Sequence, residues 1–209
     1  MYNKELTSQF LEKYKEFENI REHDFKRFTY YQKRDPDKFE LFRNIRNNLA
    51  HNTIDEEYPF VVSDNTLKEI SDLVTVMQER LIERSIHFKN LFYATMDSNV
   101  KDIIKVMVKS NFEYIPIIED GYIKKVFSPR VLLHYINDHK VIEDDLKMKD
   151  LESYLDIEIF RFYDLKTYTY EVIDLFHRYY DGKRIGCIFI TANGSNNERI
   201  LGMVTSYEV

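Results

Sequence analysis

The chain has 209 residues, and its 44% hydrophobic and 15% aromatic content is typical of a folded globular protein. Its formal net charge of −6 gives no overall attraction to nucleic acid or to an anionic membrane surface. The single cysteine, Cys187, excludes an intrachain disulfide and a cysteine-based zinc site. The amino-terminal stretch lacks a signal-peptide core, and no apolar run approaches the roughly 18 residues of a membrane helix. We therefore expect a cytoplasmic protein without a membrane partner.

Helical periodicity dominates the first part of the chain. Apolar residues recur at every third or fourth position between Leu6 and Phe17, which places them on one helix face. Pro36, between two aspartates, indicates a break followed by a helix start. The sequence from Thr66 to Glu69 is typical of a capping box and predicts the start of a long helix. Residues 1–88 are thus predicted to form a bundle of three or four helices.

From Leu91 the pattern changes to alternating helices and strands. Spaced apolar residues at 100–108 predict a helix, and two β-branched runs surround Asp120-Gly121, a dipeptide typical of a tight hairpin. Pro129 is suited to the first turn of another helix. The predicted order is helix, strand, strand, helix.

The same order recurs near the end of the chain. A predicted helix at 172–176 precedes two strands joined by a longer polar turn. Ile115 aligns with Ile188, and Ser128 aligns with Thr205 after four additional residues, which fall in the longer turn. We interpret this correspondence as an internal repeat.

The repeat resembles the CBS domain, which occurs in tandem as a Bateman module. The resemblance is carried by Ile115-Pro116-Ile117, by the corner "VFSPRVLL" and by "LGMVTSYEV" near the end. It implies an α+β fold, in which an N-terminal α-helical bundle precedes a tandem pair of α-β-β-α units over residues 89–209. The first copy would span about 91–140 and the second about 150–209, with a truncated final helix.

The resemblance also implies that an adenine nucleotide binds in a cleft between the two copies. In this family a carboxylate accepts hydrogen bonds from ribose, while a hydroxyl and a helix N-terminus face phosphate. The second copy keeps both groups, as Thr205 and Glu208, whereas the first has Val131 at the carboxylate position. The implied nucleotide-binding residues are Ile115, Pro116, Ser128, Arg130, Ile188, Thr205 and Glu208. AMP, ADP, ATP or a cyclic dinucleotide is the expected ligand, and no metal site is predicted.

The stretch "RNNLAH" in the helical part resembles the motif of the HEPN domain, with Arg46, Asn47 and His51 at its marked positions. That resemblance implies a metal-independent ribonuclease in which His51 acts as acid or base and Arg46 stabilises phosphate charge. Arg46 and His51 lie about 140° apart on an ideal helix, so they would converge more easily across a dimer. The alternative is structural: Asn47 and His51 form hydrogen bonds at a helix end, and Arg46 forms a surface ion pair.

Three functions follow from these patterns. The first is a regulatory protein, not an enzyme, that senses an adenine-type nucleotide and uses its helical domain as dimeriser or output. The second is a ribonuclease acting on RNA and gated by the CBS pair. The third is an interaction module whose CBS sites are degenerate. Both halves of the chain favour a homodimer.

Overall fold

The computed structural model describes residues 2–51, 58–180 and 182–209, and for Tyr2, Asn3 and His51 it describes the backbone only. The chain divides into two compact units, with the division between Glu79 and Arg80. The first unit contains helices α1 to α4, and the second contains shorter helices and strands β1 to β7. This arrangement confirms the predicted α+β fold with an N-terminal helical region.

The helical unit is built on an aromatic core. Its helices are α1 (Tyr2–His23), α2 (Phe25–Arg34), α3 (Pro36–His51) and α4 (Asp64–Gln78). The ring of Phe17 lies 5.0 Å from that of Phe28 and 4.8 Å from that of Phe39, measured between centroids. Such close aromatic contacts stabilise the packing beyond the burial of area alone.

Local capping residues define where these helices begin. Pro36 begins α3, as predicted. The N-cap of α4 is Ser63, whose hydroxyl oxygen accepts a hydrogen bond from the Thr66 backbone N–H at 3.1 Å. The helix therefore starts before the predicted capping box at Thr66–Glu69, because the serine three residues upstream satisfies the N–H of Thr66.

The second unit consists of two repeats. Its helices are α5 (Leu81–Arg84), α6 (Val100–Ser110), α7 (Pro129–His139), α8 (Glu152–Leu155) and α9 (Tyr170–Ile173), with 3₁₀ turns at Phe88–Asn90 and Met148–Leu151. Its strands are β1 (Ile86–His87), β2 (Ile115–Glu119), β3 (Tyr122–Phe127), β4 (Ile159–Tyr163), β5 (Tyr179–Tyr180), β6 (Lys183–Ile190) and β7 (Gly202–Thr205). Among the described residues, none of the helices has the length and apolar character required to cross a bilayer.

The repeats share one strand arrangement. In the first, Ala94 forms a parallel bridge with Ile117, and β2 pairs antiparallel with β3. In the second, β4 runs parallel to β6, and β6 pairs antiparallel with β7. Each hairpin therefore receives a parallel neighbour from the segment that precedes it.

The register of the two hairpins agrees with the sequence alignment. Ile115 pairs with Phe127, and Ile188 pairs with Val204. Ser128 follows Phe127, just as Thr205 follows Val204, so each corner hydroxyl stands at the end of an equivalent strand. Asp120 and Gly121 both have positive φ (55° and 82°), as a tight primed turn requires.

Two predicted helices differ in the structure. Helix α9 ends at Ile173 and continues only as turns, whereas the sequence predicted a helix at 172–176. Helix α6 buries Val100, Ile103 and Met107, but Val108 is 78% exposed. One residue of helix turns the chain by about 100°, so Val108 leaves the face on which Met107 lies.

The structure divides the chain earlier than the sequence boundary near residue 88. Leu81 is fully buried in the core of the second unit. Strand β1 pairs antiparallel with β7, placing Ile86 opposite Met203. Residues 81–87 therefore belong to the second unit, because their apolar side chains and backbone hydrogen bonds are satisfied there.

Candidate functional site

The corner at the end of β7 is an ordered hydroxyl and carboxylate pair. Glu208 Oε2 accepts a hydrogen bond from the Thr205 backbone N–H at 2.6 Å and another from Thr205 Oγ1 at 2.7 Å. Thr205 Oγ1 in turn accepts from the backbone N–H of Tyr207 at 3.3 Å. Such reciprocal bonds fix both side chains as a capping box does. Both bonds to the carboxylate fall on Oε2, so Oε1 faces no donor in this network.

This corner closes a cleft of about 260 Å³ between the two repeats. One side comes from the segment before α6 and the residues after it, and the other comes from β7 and the corner. The cleft is lined by Ile86, Asn90, Leu91, Phe92, Ser110, Asn111, Phe112, Tyr114, Ile115, Met203, Thr205, Tyr207 and Glu208. Apolar side chains combined with a small number of polar groups are typical of small-molecule sites.

Tyr114 forms part of the cleft wall and packs against the second repeat. A Cβ atom at Gly186 would lie 2.4 Å from Tyr114 Cε1, so only glycine at this position allows the tyrosine ring to approach. Burial raises the pKa of Tyr114 to about 12, and the nearby carboxylates of Glu158 and Glu113 act in the same direction. The phenol is therefore neutral, and can donate a hydrogen bond, throughout the physiological pH range.

The rim of the cleft carries a second carboxylate. The Tyr207 hydroxyl donates a hydrogen bond to Glu113 Oε1 at 2.7 Å. This bond raises the pKa of Tyr207, because the tyrosinate could not donate it and would be repelled by the carboxylate. The contact places a negative charge beside a residue that lines the cleft.

The equivalent corner of the first repeat is built differently. Ser128 Oγ accepts hydrogen bonds from the backbone N–H groups of Arg130 and Val131 and donates one to Glu158 Oε1 at 2.6 Å. Val131, at the position where a carboxylate was expected, is fully buried. The carboxylate at this corner therefore comes from Glu158, which precedes β4 in the second repeat.

The structure brings together some of the residues that the resemblance implied. Thr205, Glu208 and Ile115 line the cleft. Ile188 does not, because its side chain is fully buried in a core cluster with Val204. Pro116 is also buried, and its carbonyl oxygen accepts from the Ala94 N–H at 2.9 Å.

Sequence reasoning missed several cleft residues. Phe92, Asn111 and Tyr114 lie outside the motifs that carried the resemblance. Asn111 ends α6 with a left-handed backbone (φ 55°), a position for which asparagine is favoured. The sequence could therefore predict a helix end at Asn111, but it could not predict the direction of the asparagine side chain.

The arginine of the "RNNLAH" stretch has partners inside the helical unit. Arg46 Nη1 donates to Asn47 Oδ1 at 3.3 Å, and Nη2 lies 3.9 Å from Glu18 Oε1. Its guanidinium also lies 6.0 Å from the ring centroid of Tyr14. His51 is the last residue of α3, and its side chain lies outside the described residues, so the geometry of the Arg46–His51 pair is not described.

A separate cavity of about 370 Å³ lies in the helical unit. Aromatic side chains form much of its wall, with two arginines and two glutamates among them. It is lined by Tyr14, Phe17, Glu18, Arg21, Phe25, Phe28, Gln32, Pro36, Phe39, Glu40 and Arg43. Across the part of the chain that the structure describes, His, Cys, Asp and Glu form no group of three suited to a metal ion.

Comparison with known proteins finds a family similarity in the first repeat. The sequence profile of the CBS domain matches residues 82–138, which include the first repeat. The match begins within α5 and ends within α7. It therefore includes residues 82–87, which precede the domain boundary predicted near residue 88. None of the curated proteins matches the sequence significantly.

Solved structures resemble the chain at low sequence identity. A functionally unknown conserved protein domain from Neisseria meningitidis MC58 is 12% identical and has a TM-score of 0.50, over 83% of this chain and 98% of that one. The CBS domain of a bacterial CNNM/CorC family Mg²⁺ transporter, in complex with the inhibitor IGN95a, is 12% identical with a TM-score of 0.50, over 82% and 93%. The same type of domain in complex with ATP is 13% identical with a TM-score of 0.49, over 66% and 89%. At these identities the likeness to the first two structures shows the fold alone.

Proposed function

We propose that this CBS-domain protein is regulatory and senses an adenosine-containing ligand, of the class that includes AMP, ADP and ATP, in the cleft closed by Thr205 and Glu208. One observation carries the proposal. Apolar walls and an ordered hydroxyl–carboxylate corner meet in one cleft between the repeats. The apolar walls suit a purine ring, and the hydroxyl–carboxylate corner suits the two hydroxyls of a ribose.

The chemistry of binding follows from the cleft residues. The adenine ring would lie among apolar side chains such as Leu91 and Phe92, which gain from being covered. The ribose hydroxyls would donate to Glu208, whose Oε1 faces no donor in the corner network. Hydrogen bonds to a charged group contribute about 1.5–3 kcal/mol, so the corner accounts for roughly ten- to a hundredfold in affinity.

Thermal-shift measurements test this proposal. Adenosine, AMP, ADP and ATP would be compared with their guanine counterparts, since a ligand that binds the folded state raises the melting temperature. We expect at least one adenine compound to raise it, and Glu208→Ala to weaken that binding ten- to a hundredfold. The proposed sensing function would be contradicted if none of the adenine compounds raised the melting temperature at millimolar concentration.

A matched control separates binding from folding. Glu171 Oε1 accepts from the Tyr168 backbone N–H at 2.9 Å, which is the same type of capping contact as that of Glu208 with Thr205. Glu171 does not line the cleft. Glu171→Ala therefore removes a comparable structural bond and should leave ligand affinity within about twofold of wild type.

For the helical unit we propose a role as dimeriser or output of the sensor. Phe25 is 67% exposed, and Leu41 and Val76 are also exposed, so this unit offers apolar side chains to a partner. The proposed partner is a second copy of the chain, which makes the protein a homodimer.

A ribonuclease remains the second candidate for the helical unit, on one observation. Arg21 and Arg43 line the aromatic cavity, and Arg46 lies over Tyr14 in the same wall. Arginine and aromatic side chains together are suited to phosphates and bases of single-stranded RNA. Cleavage of RNA without added metal, abolished by both Arg46→Ala and His51→Ala, is the expected result for this candidate, and activity retained in either variant excludes the motif.

A further inference from the structure

The lining of the Thr205–Glu208 cleft carries negative charge. Among its lining residues in the described part of the chain, Glu208 is the one with a formal charge, and none is lysine or arginine. The Glu113 carboxylate adds a second negative charge through its bond with Tyr207. The other polar groups that line the cleft are amides and hydroxyls.

Groups suited to binding phosphate lie at the corner of the first repeat, at Ser128. There Arg130 is the second residue of α7, whose first backbone N–H groups meet Ser128 Oγ. A cation and the N-terminus of an eleven-residue helix are the groups that phosphate prefers. The corner at Ser128 is nevertheless engaged by Glu158, so its hydroxyl already has an anionic partner.

Two lysines stand near the Thr205–Glu208 cleft in sequence. Lys89 precedes the lining residue Asn90, and Lys109 precedes Ser110. Both lysine side chains are exposed and neither lines the cleft. An exposed lysine in water compensates little of the repulsion between a phosphate and a nearby carboxylate, because solvent screens its charge.

We propose that the ligand of this cleft is an adenosine derivative whose 5′ substituent carries no phosphate and is neutral or cationic. This inference rests on the function proposed above and narrows its ligand class. In such a ligand, adenine and ribose form the same contacts with the cleft that are proposed above for adenosine. A 5′-phosphate adds up to two negative charges near Glu208 and Glu113, whereas a cationic 5′ group is attracted to the same carboxylates.

A series of 5′ substituents on one nucleoside tests the charge preference directly. Calorimetry on the full chain would use adenosine, AMP, ATP and 5′-amino-5′-deoxyadenosine, in which an ammonium group replaces the hydroxyl. We expect the amino compound to bind at least as tightly as adenosine. AMP should bind roughly tenfold more weakly than adenosine, which corresponds to about 1.4 kcal/mol of like-charge repulsion, and ATP more weakly still.

The outcomes distinguish this inference from the proposal on which it rests. If AMP or ATP binds as tightly as adenosine or more tightly, the charge preference is overturned and adenosine sensing stands. If none of the four compounds binds at millimolar concentration, adenosine sensing itself fails. Tighter binding of the amino compound and adenosine than of AMP supports both.

A charge placed in the wall provides the second test. Asn90→Lys introduces a cation among the lining residues, and it should raise the ratio of AMP affinity to adenosine affinity about tenfold. Asn197→Lys makes the same change in net charge in the loop between β6 and β7, away from the cleft, and should leave the ratio unchanged. An unchanged ratio in Asn90→Lys, or an equal change in both variants, would show that the wall charge does not set the selectivity.

Discussion

At the scale of single residues, Gly186 and Tyr114 link the packing of the second unit to the shape of its cleft. A Cβ at Gly186 would lie 2.4 Å from Tyr114 Cε1, so Gly186→Ala must displace the ring. We expect it to lower the free energy of unfolding by about 1–3 kcal/mol, as overpacking usually does. Because Tyr114 lines the cleft, the variant should also change affinity for the proposed adenosine ligand, measured by calorimetry beside urea unfolding.

Gly182→Ala is the control for this residue pair. Gly182 has a φ of +76° and meets no atom within 4 Å, so alanine there strains the backbone, by about 1–2 kcal/mol, without touching the cleft. Both variants should therefore lose stability, and only Gly186→Ala should change affinity. Unaltered binding in Gly186→Ala would mean that the ring moves without reshaping the site.

At the scale of elements, the start of α4 depends on Ser63 rather than on the box at Thr66–Glu69. The Ser63 hydroxyl oxygen accepts a hydrogen bond from the Thr66 backbone N–H. The Thr66 hydroxyl contacts the side-chain oxygen Oγ of Ser63, which is not a backbone group of the helix. We expect Ser63→Ala to lower the free energy of unfolding by about 1 kcal/mol and Thr66→Ala by clearly less. Urea unfolding followed by circular dichroism measures both, and a larger effect at Thr66 would restore the sequence-based assignment.

At the scale of the whole molecule, the two units have separate cores, so the division at Glu79 can be tested by truncation. A fragment of residues 80–209 should fold and keep its ligand affinity, because it retains Leu81 and β1. A fragment of 89–209 loses that buried leucine and the strand beside β7, and should be less stable by about 3 kcal/mol or more. Chemical unfolding of the two fragments gives the comparison.

Light scattering on the same fragment addresses the role of the helical unit. If the helical unit is the dimeriser, the full chain should be a dimer at micromolar concentration and residues 80–209 a monomer. If both are dimers, the second unit is sufficient for dimerisation, which contradicts the proposed role of the helical unit as dimeriser. A monomeric full chain would contradict the homodimer and weaken the ribonuclease candidate, whose paired motifs need two copies.

The sequence by itself determined the features that depend on neighbouring residues. Asp120-Gly121 predicted the tight turn because both positions need positive φ, and Pro36 and Pro129 predicted helix starts because proline needs no backbone donor there. The alignment of Ser128 with Thr205 also agrees with the strand register. It could be found from the sequence because the repeated order of helices and strands produces a repeated pattern of apolar residues. These signals are local, so they survive without knowledge of the fold.

Only the tertiary structure decided which side chains meet. Glu158 occupies the corner of Ser128 although 30 residues separate them in the chain, and Tyr114 reaches the cleft because Gly186 leaves room for its ring. Ile188 turned out to be buried, although it lies on a strand beside the corner strand. Contacts of this kind depend on how two repeats pack against each other, and that packing is set by complementary shape and burial over the whole unit, which no short stretch of sequence encodes.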